Sequence, residues 1–296
     1  MHSDLRLASL SATSRDTFYL RATSRAHDDE SADMTLMLRY RDNAWANYEI
    51  DEPVVAHCAI ELDARYVFSL TPFGDVHVAG PTGFSWEKLD TSPVSTPNRL
   101  RQMRSLERVG DSLFAVGMGR MAYERSVEGA WSRIDDNLRN LAGGGLLGVS
   151  GCDRSTVYSC GFGGEIWRFD GSGWQAIDSP TNAKLEQALV CSPEEIVFSG
   201  ARGVVVLGDG KKWKTLNPTE SKSTLWGLAK FGGHLYVADN AQIYRVSGDS
   251  LEPVKLPFDR PLTTGRLHAN DGVLWSIGER DLLSFDGSSW RVLDYG

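Results

Sequence analysis

The chain has 296 residues, of which 41% are hydrophobic and 24% are charged, as in folded proteins rather than disordered ones. Its 39 acidic residues outnumber 31 basic residues and give a net charge of −8. This balance argues against a basic surface for nucleic acid. No apolar run reaches the roughly 18 to 20 residues of a membrane span. The N-terminus shows no secretory signal and the four cysteines form no C-x-x-C pair, so we expect a reduced protein in the cytoplasm.

Tryptophan recurs along the chain at a nearly constant spacing. Trp45, Trp86, Trp131, Trp174 and Trp213 are separated by 41, 45, 43 and 39 residues, and Trp290 follows Trp213 after 77, or two intervals. We place the missing member in the segment SLEPVKLP, with Pro253 in the position of tryptophan and Leu256 in that of Leu216. Seven units of about 41 residues are therefore predicted. Their approximate ranges are 1–51, 52–91, 92–136, 137–179, 180–218, 219–258 and 259–296.

Each unit repeats the same order of short β-prone runs. Residues 146–179 show it best, with LLGVSGCDRS, TVYSCGFGG, EIWRFDG and SGWQAIDS in succession. Asp-Gly pairs between the third and fourth runs favour tight hairpins, because glycine adopts the positive φ that such turns require. These pairs are Asp170-Gly171, Asp209-Gly210 and Asp286-Gly287. No 3.6-residue apolar period persists long enough to predict a substantial helix.

Four-stranded units repeated seven times predict an all-β fold, a single seven-bladed β-propeller. One twisted four-stranded sheet cannot bury both of its faces, but radial packing against two neighbours buries them. The recurring tryptophan, near the start of each fourth strand, is expected to pack between adjacent blades. The segment LRLASLSA is predicted to be the innermost strand of the first blade, and WRVLDYG the outermost strand of the last. The two termini then meet at one seam.

The whole chain resembles seven-bladed propeller proteins without carrying the signature of a subfamily. No tryptophan is followed by aspartate, as in WD40 repeats, and the kelch-like fragment GGHLYV occurs once. SFDGSSW, ending at Trp290, is one residue too short for a sialidase-type Asp box. What remains is similar to divergent single-domain propellers of the bacterial cytosol. Some of these look like immunity proteins that neutralise toxins delivered by secretion systems, and this resemblance implies a protein partner.

No pattern in the sequence indicates a catalytic or cofactor site. The six histidines form no H-x-H or H-E-x-x-H motif, and there is no G-x-S-x-G elbow and no P-loop. His57 and His77 fall in β runs, where a hydrogen-bonded strand residue is the simpler interpretation than a metal ligand. We predict no enzyme, no metal and no cofactor. Carboxylates brought together from distant blades, as in a glycosidase, are left open by spacing alone.

Two acidic features and two aromatic residues are the candidates for contact with a partner. The acidic insertion HDDESAD lies between the second and third strands of the first unit, and acidic residues close several outer strands. A solvated loop and Asx turns are the alternative explanations of these features. Phe73 and Phe162 occupy turns, where they either anchor a partner or fold over the central channel. All are predicted at one face, which we expect to be the more acidic; the candidates are Asp28, Asp29, Glu30, Asp33, Asp51, Glu52, Phe73, Asp90, Asp135, Asp136, Phe162 and Asp178.

The leading hypothesis is a non-catalytic immunity protein that binds and occludes a basic secreted toxin, for example a nuclease effector. An acidic surface attracts such a partner by electrostatic steering. We expect a monomer outside the complex, with no nucleic acid or membrane partner. The alternative is a propeller that binds a carbohydrate or another small ligand in its central funnel, or a relative of glycosidases.

Overall fold

The computed structural model describes residues 5–24, 34–91, 102–139, 141–216 and 222–295. Within these ranges 28 strands form seven sheets, each with four strands paired in chain order. All the pairings are antiparallel, so every blade is a simple meander, for example from Leu5–Ser14 outward to Ala44–Ile50 in the first. The prediction of an all-β, seven-bladed propeller is confirmed.

The strands of the first four blades have the following bounds. Blade 1 contains β1 (Leu5–Ser14), β2 (Thr17–Ser24), β3 (Thr35–Arg41) and β4 (Ala44–Ile50). Blade 2 contains β5 (Ala56–Glu61), β6 (Arg65–Leu70), β7 (Asp75–Gly80) and β8 (Gly83–Lys88). Blade 3 contains β9 (Met103–Val109), β10 (Ser112–Gly117), β11 (Ala122–Arg125) and β12 (Trp131–Arg133). Blade 4 contains β13 (Leu146–Asp153), β14 (Thr156–Gly161), β15 (Ile166–Phe169) and β16 (Trp174–Ile177).

The remaining three blades repeat this order. Blade 5 contains β17 (Leu185–Ser192), β18 (Glu195–Gly200), β19 (Val205–Gly208) and β20 (Trp213–Leu216). Blade 6 contains β21 (Gly227–Phe231), β22 (His234–Ala238), β23 (Ile243–Ser247) and β24 (Ser250–Pro253). Blade 7 contains β25 (Gly265–Asn270), β26 (Val273–Gly278), β27 (Leu282–Phe285) and β28 (Trp290–Leu293).

The ring closes between blades 7 and 1, which share no strand. The backbone N–H of Leu7 donates to the carbonyl of Glu279 at 3.0 Å. The indole N–H of Trp45 donates to the carbonyl of Asp294 at 2.9 Å. Phe18 and Trp275 pack in the same core cluster, with ring centroids 5.7 Å apart. The seam is therefore held by apolar packing and by hydrogen bonds between two separate sheets.

Most of the recurring tryptophans pack against the preceding blade, as predicted. Trp174 is 2% exposed and lies in one cluster with Val109 and Phe114 of blade 3. Trp213 packs on Tyr158 of blade 4, and its ring lies directly over Gly208, where a Cβ would come within 2.1 Å of the indole. Tryptophans with the same interblade placement are Trp45, Trp131, Trp174, Trp213 and Trp290.

The expectation for the sixth blade was wrong by two residues. Leu251, not Pro253, takes the tryptophan position, because Ser247 pairs with Ser250 and this turn places Leu251 opposite Val246. Leu251 is 1% exposed and packs against blade 5. Pro253 is exposed, and Leu256 lies beyond the end of β24. The register of the hairpin therefore selects an ordinary aliphatic residue for the interblade position.

Trp86 is the second exception to the interblade pattern. Trp86 is 66% exposed. In the hairpin of blade 2, Phe84 and not Trp86 holds the position that the tryptophan has in blade 4, and it pairs with the small residue Ala79. In blade 4 the corresponding pair is Phe169 and Trp174. Because Phe84 is also 67% exposed, the interface between blades 1 and 2 lacks both the tryptophan that packs in five other interfaces and an equivalent of Leu251, which packs between blades 5 and 6.

The Asp-Gly hairpins form as the sequence predicts. Gly171 adopts φ +95°, and the Asp170 carboxylate accepts hydrogen bonds from the backbone N–H and the hydroxyl of Ser172 at 2.9 and 2.7 Å. These bonds, with that from the Gly173 N–H, lower the pKa of Asp170 to about 2. The aspartate therefore stabilises its own turn, as in an Asx turn.

Two histidines of the innermost strands, the buried His57 and the half-buried His268, are uncharged at neutral pH. Nε2–H of His57 donates to the Tyr19 carbonyl at 3.2 Å. Nδ1 of the uncharged ring then accepts from the Ser9 hydroxyl, also at 3.2 Å. Burial, followed by the charge of Arg21, lowers the pKa of His57 to about 3. The backbone N–H of Ala12 donates to Nε2 of His268, whose pKa burial lowers to about 4. Both side chains act as satisfied structural residues.

The lowered pKa values of these two histidines predict that the free energy of unfolding decreases on mild acidification. Below pH 6.5 the unfolded chain protonates His57 while the folded chain does not, so the unfolded state binds more protons and the free energy of unfolding decreases. The contribution is at most about 1.4 kcal/mol per pH unit for each histidine. His57→Gln is expected to make the decrease between about pH 6 and 4 shallower, as measured by urea titration. The exposed His234→Gln variant is the control, and equal slopes for His57→Gln and wild type would contradict the prediction.

Candidate protein-binding surface

The meander places two kinds of connection at opposite ends of the ring. The connections between the second and third strands emerge together with those that lead to the next blade, and we call this end the loop face. The connections between first and second strands and between third and fourth strands form the other end, the turn face. Asp170-Gly171 and the equivalent hairpins belong to the turn face.

The described candidate residues all fall in connections of the loop face. Phe73 lies between β6 and β7, and Phe162 between β14 and β15. The acidic candidates follow outer strands β4, β8, β12 and β16; they are Asp51, Glu52, Asp90, Asp135, Asp136 and Asp178. Asp28, Asp29, Glu30 and Asp33 lie outside the described residues.

Asp135 differs from the expectation of an exposed contact residue. Its side chain is 1% exposed and accepts hydrogen bonds from the guanidinium groups of Arg133 at 2.8 Å and Arg139 at 2.9 Å. Its carbonyl also accepts the backbone N–H of Leu138. Because both arginines neutralise the carboxylate internally, Asp135 stabilises the connection after β12 and presents no charge to a partner.

Carboxylates occur on both faces, so acidity does not single out the loop face. On the loop face several are paired internally: Glu52 with His77 at 2.7 Å, and Glu165 with Arg120 at 2.6 Å. Asp51, Asp136 and Asp178 are exposed there. The connections of the turn face also carry carboxylates, namely Asp42, Asp63, Asp111, Asp170, Asp209, Asp249, Asp271 and Asp286.

Phe162 is exposed in a turn that does not require its ring. The segment after β14 forms a 3₁₀ turn at Phe162–Gly164, and the segment after β18 forms the same turn at Ala201–Gly203. Alanine thus serves in blade 5 where phenylalanine stands in blade 4. Phe162 is 39% exposed. A ring that neither the turn nor the core needs is typical of a contact residue.

Phe162 belongs to a cluster of aromatic and cationic side chains near the innermost strands. The Lys184 ammonium lies 5.7 Å from the Phe162 ring and 5.8 Å from the Trp226 ring. The Arg266 guanidinium lies 5.8 Å from the same Trp226 ring and also donates a hydrogen bond to the Trp226 carbonyl. The Lys184 ammonium also forms an ion pair with the Glu186 carboxylate, at 2.6 Å. We call Phe162, Lys184, Trp226 and Arg266 the aromatic–cationic cluster.

A second set of contacts fixes the Phe162 turn to blade 3. Glu165 accepts from Arg120, from the indole N–H of Trp167 at 2.9 Å and from the backbone N–H of Gly145 at 2.9 Å. Arg120 also donates to the carbonyl of Gly143 at 2.7 Å. Arg120 and Glu165 are only 13% and 14% exposed, so the charge pair is largely shielded from water. The turn that carries Phe162 is therefore held rigidly before any partner binds.

Phe73 is the other exposed ring of the loop face, at 59% exposure. Its turn is closed by hydrogen bonds between Thr71 and Asp75 in both directions, and Gly74 adopts φ +92°. The Thr91 hydroxyl donates to the Phe73 carbonyl. The ring therefore projects from a backbone that is itself ordered.

Sequence reasoning did not find Lys184, Trp226 or Arg266. One signal was available for Trp226, because this tryptophan falls outside the spacing of about 41 residues. Trp275, also outside that spacing, is 1% exposed and belongs to the core. Only the tertiary structure separates the two cases.

The described residues offer little for chemistry. No three His, Cys, Asp or Glu side chains among them come together as a metal site. His77, which the sequence places in a β run, is 7% exposed and hydrogen-bonded to Glu52. In the part of the chain that the structure describes, no helix is long and apolar enough to span a membrane.

Known structures share the fold. The WD40 propeller domain of Doa1 superimposes with a TM-score of 0.68 at 10% identity, over 95% of this chain and 92% of that one. YCF48 bound to D1 peptide gives a TM-score of 0.66 at 13% identity, over 98% and 93%. No protein-family model matches the chain. At these identities the similarity defines the architecture alone.

The fold defines the class of this protein, a single seven-bladed propeller. A comparison with curated proteins then gives the family. The chain is 32% identical to the immune protein Tsi7 of Pseudomonas aeruginosa over 262 residues, which cover 86% of this chain and 82% of that protein. The chain belongs to the family of this immune protein.

Proposed function

We propose that this chain is an immunity protein that binds a toxin in the cytoplasm and neutralises it without catalysis. The observation that carries the proposal is the 32% identity to an immune protein over most of both chains. The braced turn at Phe162 supports it, because a contact residue that is already held in place binds a partner at a lower entropic cost.

The loop face is the proposed binding surface, and its residues divide into two roles. The aromatic–cationic cluster supplies apolar anchors near the centre, where water is most easily excluded. We assign the exposed carboxylates of Asp51 and Asp178, and Asp136 with its partner Arg139, to an acidic rim. We expect the acidic insertion to add to it through Asp28, Asp29, Glu30 and Asp33. Such rim charges act mainly on the rate of encounter.

The proposed partner is a basic toxin, such as a nuclease, whose active site the loop face covers. The net charge of −8 favours a partner of opposite sign. An enzyme that holds a phosphate backbone carries such a basic surface. Occlusion follows if the toxin's basic substrate-binding surface is the same surface that docks on the acidic rim.

Co-purification tests this function. The tagged full chain is expected to retain one basic protein in stoichiometric amount from its native cytosol, and less of it as salt is raised during loading. Expression of the chain is expected to protect cells against that protein. A chain that retains no protein at low salt, but binds a glycan array, would instead support the carbohydrate-binding alternative.

A further inference from the structure

The groove between blades 1 and 2 is larger than the grooves of about 470 Å³ between blades 7 and 1 and of about 230 Å³ between blades 6 and 7. It has a volume of about 690 Å³ and is lined by Ala46, Tyr48, Val67, Ala79 and Phe84 among others. A smaller cavity of about 190 Å³ continues it toward Asp51, and Tyr48 lines both. Ala79 pairs with Phe84 at the position where Tyr40 pairs with Trp45 in blade 1 and Phe285 pairs with Trp290 in blade 7. A methyl group therefore stands there in place of a ring.

A ridge of exposed rings borders the groove. Phe84 and Trp86 project from β8, which is the edge strand of blade 2, and are 67% and 66% exposed. The Trp86 ring lies against His77 at a centroid distance of 3.8 Å, and Glu52 fixes His77 at 2.7 Å. Two ordered aromatic rings on an exposed edge strand are typical of a surface that another chain covers.

The groove is charged oppositely at its two ends. Arg39, Arg41 and Arg65 line the end toward the turn face, and Asp51 lines the end toward the loop face. Arg41 lies 3.1 Å from Asp42 and Arg65 lies 3.2 Å from Glu61. No ion pair among the described residues includes Arg39 or Asp51, and both side chains are exposed. Glu49, also exposed and in none of the ion pairs of the described residues, lies beside Asp51 at the same end. The unpaired charges are therefore the Arg39 cation at one end and the Glu49 and Asp51 anions at the other.

We propose that this groove is the interface of a homodimer, with a second copy of this chain as its occupant. A two-fold axis near Tyr48 reverses the direction of the groove in the second copy. Arg39 of each chain then meets Asp51 of the other, and the ridge of each chain enters the groove of the other. A patch that complements itself in charge and in shape is the requirement of an isologous interface. This dimer replaces the expectation of a monomer and does not depend on the proposed toxin.

The mass in solution, measured by light scattering over a wide range of concentration, is the first test. The wild-type chain is expected to reach twice the mass of one chain as concentration rises. The double variant Phe84→Ser and Trp86→Ser is expected to remain a monomer. Val127→Ser removes another exposed apolar side chain, 59% exposed on the turn face, and is expected to dimerise as wild type does. Unchanged thermal unfolding of each variant shows that the fold is kept.

Charge exchange tests the two-fold arrangement itself. Arg39→Glu and Asp51→Arg are each expected to weaken dimerisation about tenfold or more, because each creates two like-charge contacts. An equimolar mixture of the two variants is expected to restore a dimer with one chain of each kind, since both contacts are then attractive. A wild-type chain that stays monomeric at every concentration overturns the proposal. That result would instead indicate that the groove binds a segment of a different protein. A dimer insensitive to the ridge variant, or a mixture that does not recover, also overturns the proposal.

Discussion

Replacement of Trp174 by alanine is expected to lower the free energy of unfolding by about 3 to 5 kcal/mol, the usual cost of deleting a buried aromatic ring. The ring is 2% exposed and lies between blades 3 and 4, with its centroid 5.3 Å from that of Phe169. Its removal leaves a cavity that the stiff sheets on either side cannot close. Urea or thermal unfolding measures the change.

Trp86→Ala is the matched control, because Trp86 belongs to the same sequence repeat but is exposed. Its cost is expected to be about 1 kcal/mol or less, as for surface substitutions, when measured at concentrations at which the chain is monomeric. Similar losses for the two variants would show that the interblade assignment of Trp174 is mistaken.

Phe162→Ala is expected to speed dissociation of the toxin about thirtyfold or more, the factor that corresponds to about 2 kcal/mol. The ring is the proposed apolar anchor of the loop face, is 39% exposed, and lies 5.7 Å from the Lys184 ammonium on a turn braced by Glu165 and Arg120. Surface-based kinetics with the co-purified protein separate dissociation from association. The turn keeps its conformation with alanine, as Ala201 does in the equivalent turn of blade 5.

Charge reversal at Asp28, Asp29 and Glu30 is the complementary measurement at the rim. It is expected to slow association and to flatten its dependence on salt, with little change in dissociation. Val127→Ala on the turn face serves as the control for Phe162→Ala. If substitutions at Asp170 and Asp286 weaken binding while those on the loop face do not, the toxin binds the turn face and the assignment is wrong.

Much of the fold could be predicted from local signals. The tryptophan spacing and the Asp-Gly turns predict seven four-stranded units, because each unit must form the same hairpins and present a large apolar ring at its outer strand. Leu251 and Trp86 show the limit of this reasoning. The interblade position is set by the pairing register, and a two-residue displacement along a strand keeps the same face of the sheet while moving the side chain away from the hairpin.

The recognition surface was only partly predictable. Exposed rings at Phe73 and Phe162 follow from turn positions that need no aromatic residue. Asp135 looked equivalent to Asp178, but two arginines close to it bury its carboxylate. Lys184, Trp226 and Arg266 lie on three different blades, so their contacts exist only once the ring has closed.

The sequence by itself determined the number of blades, the strands in each and the acidic balance, since these depend on composition and on residues close together in the chain. The tertiary structure alone decided which charges are paired internally, which tryptophan is exposed, and where the aromatic–cationic cluster and the open groove lie. The cluster and the groove arise between neighbouring blades, so the packing of the blades decides which residues meet there. The pairs of Asp135 with Arg133 and Arg139 are close in the chain, but only the folded structure shows that they are buried.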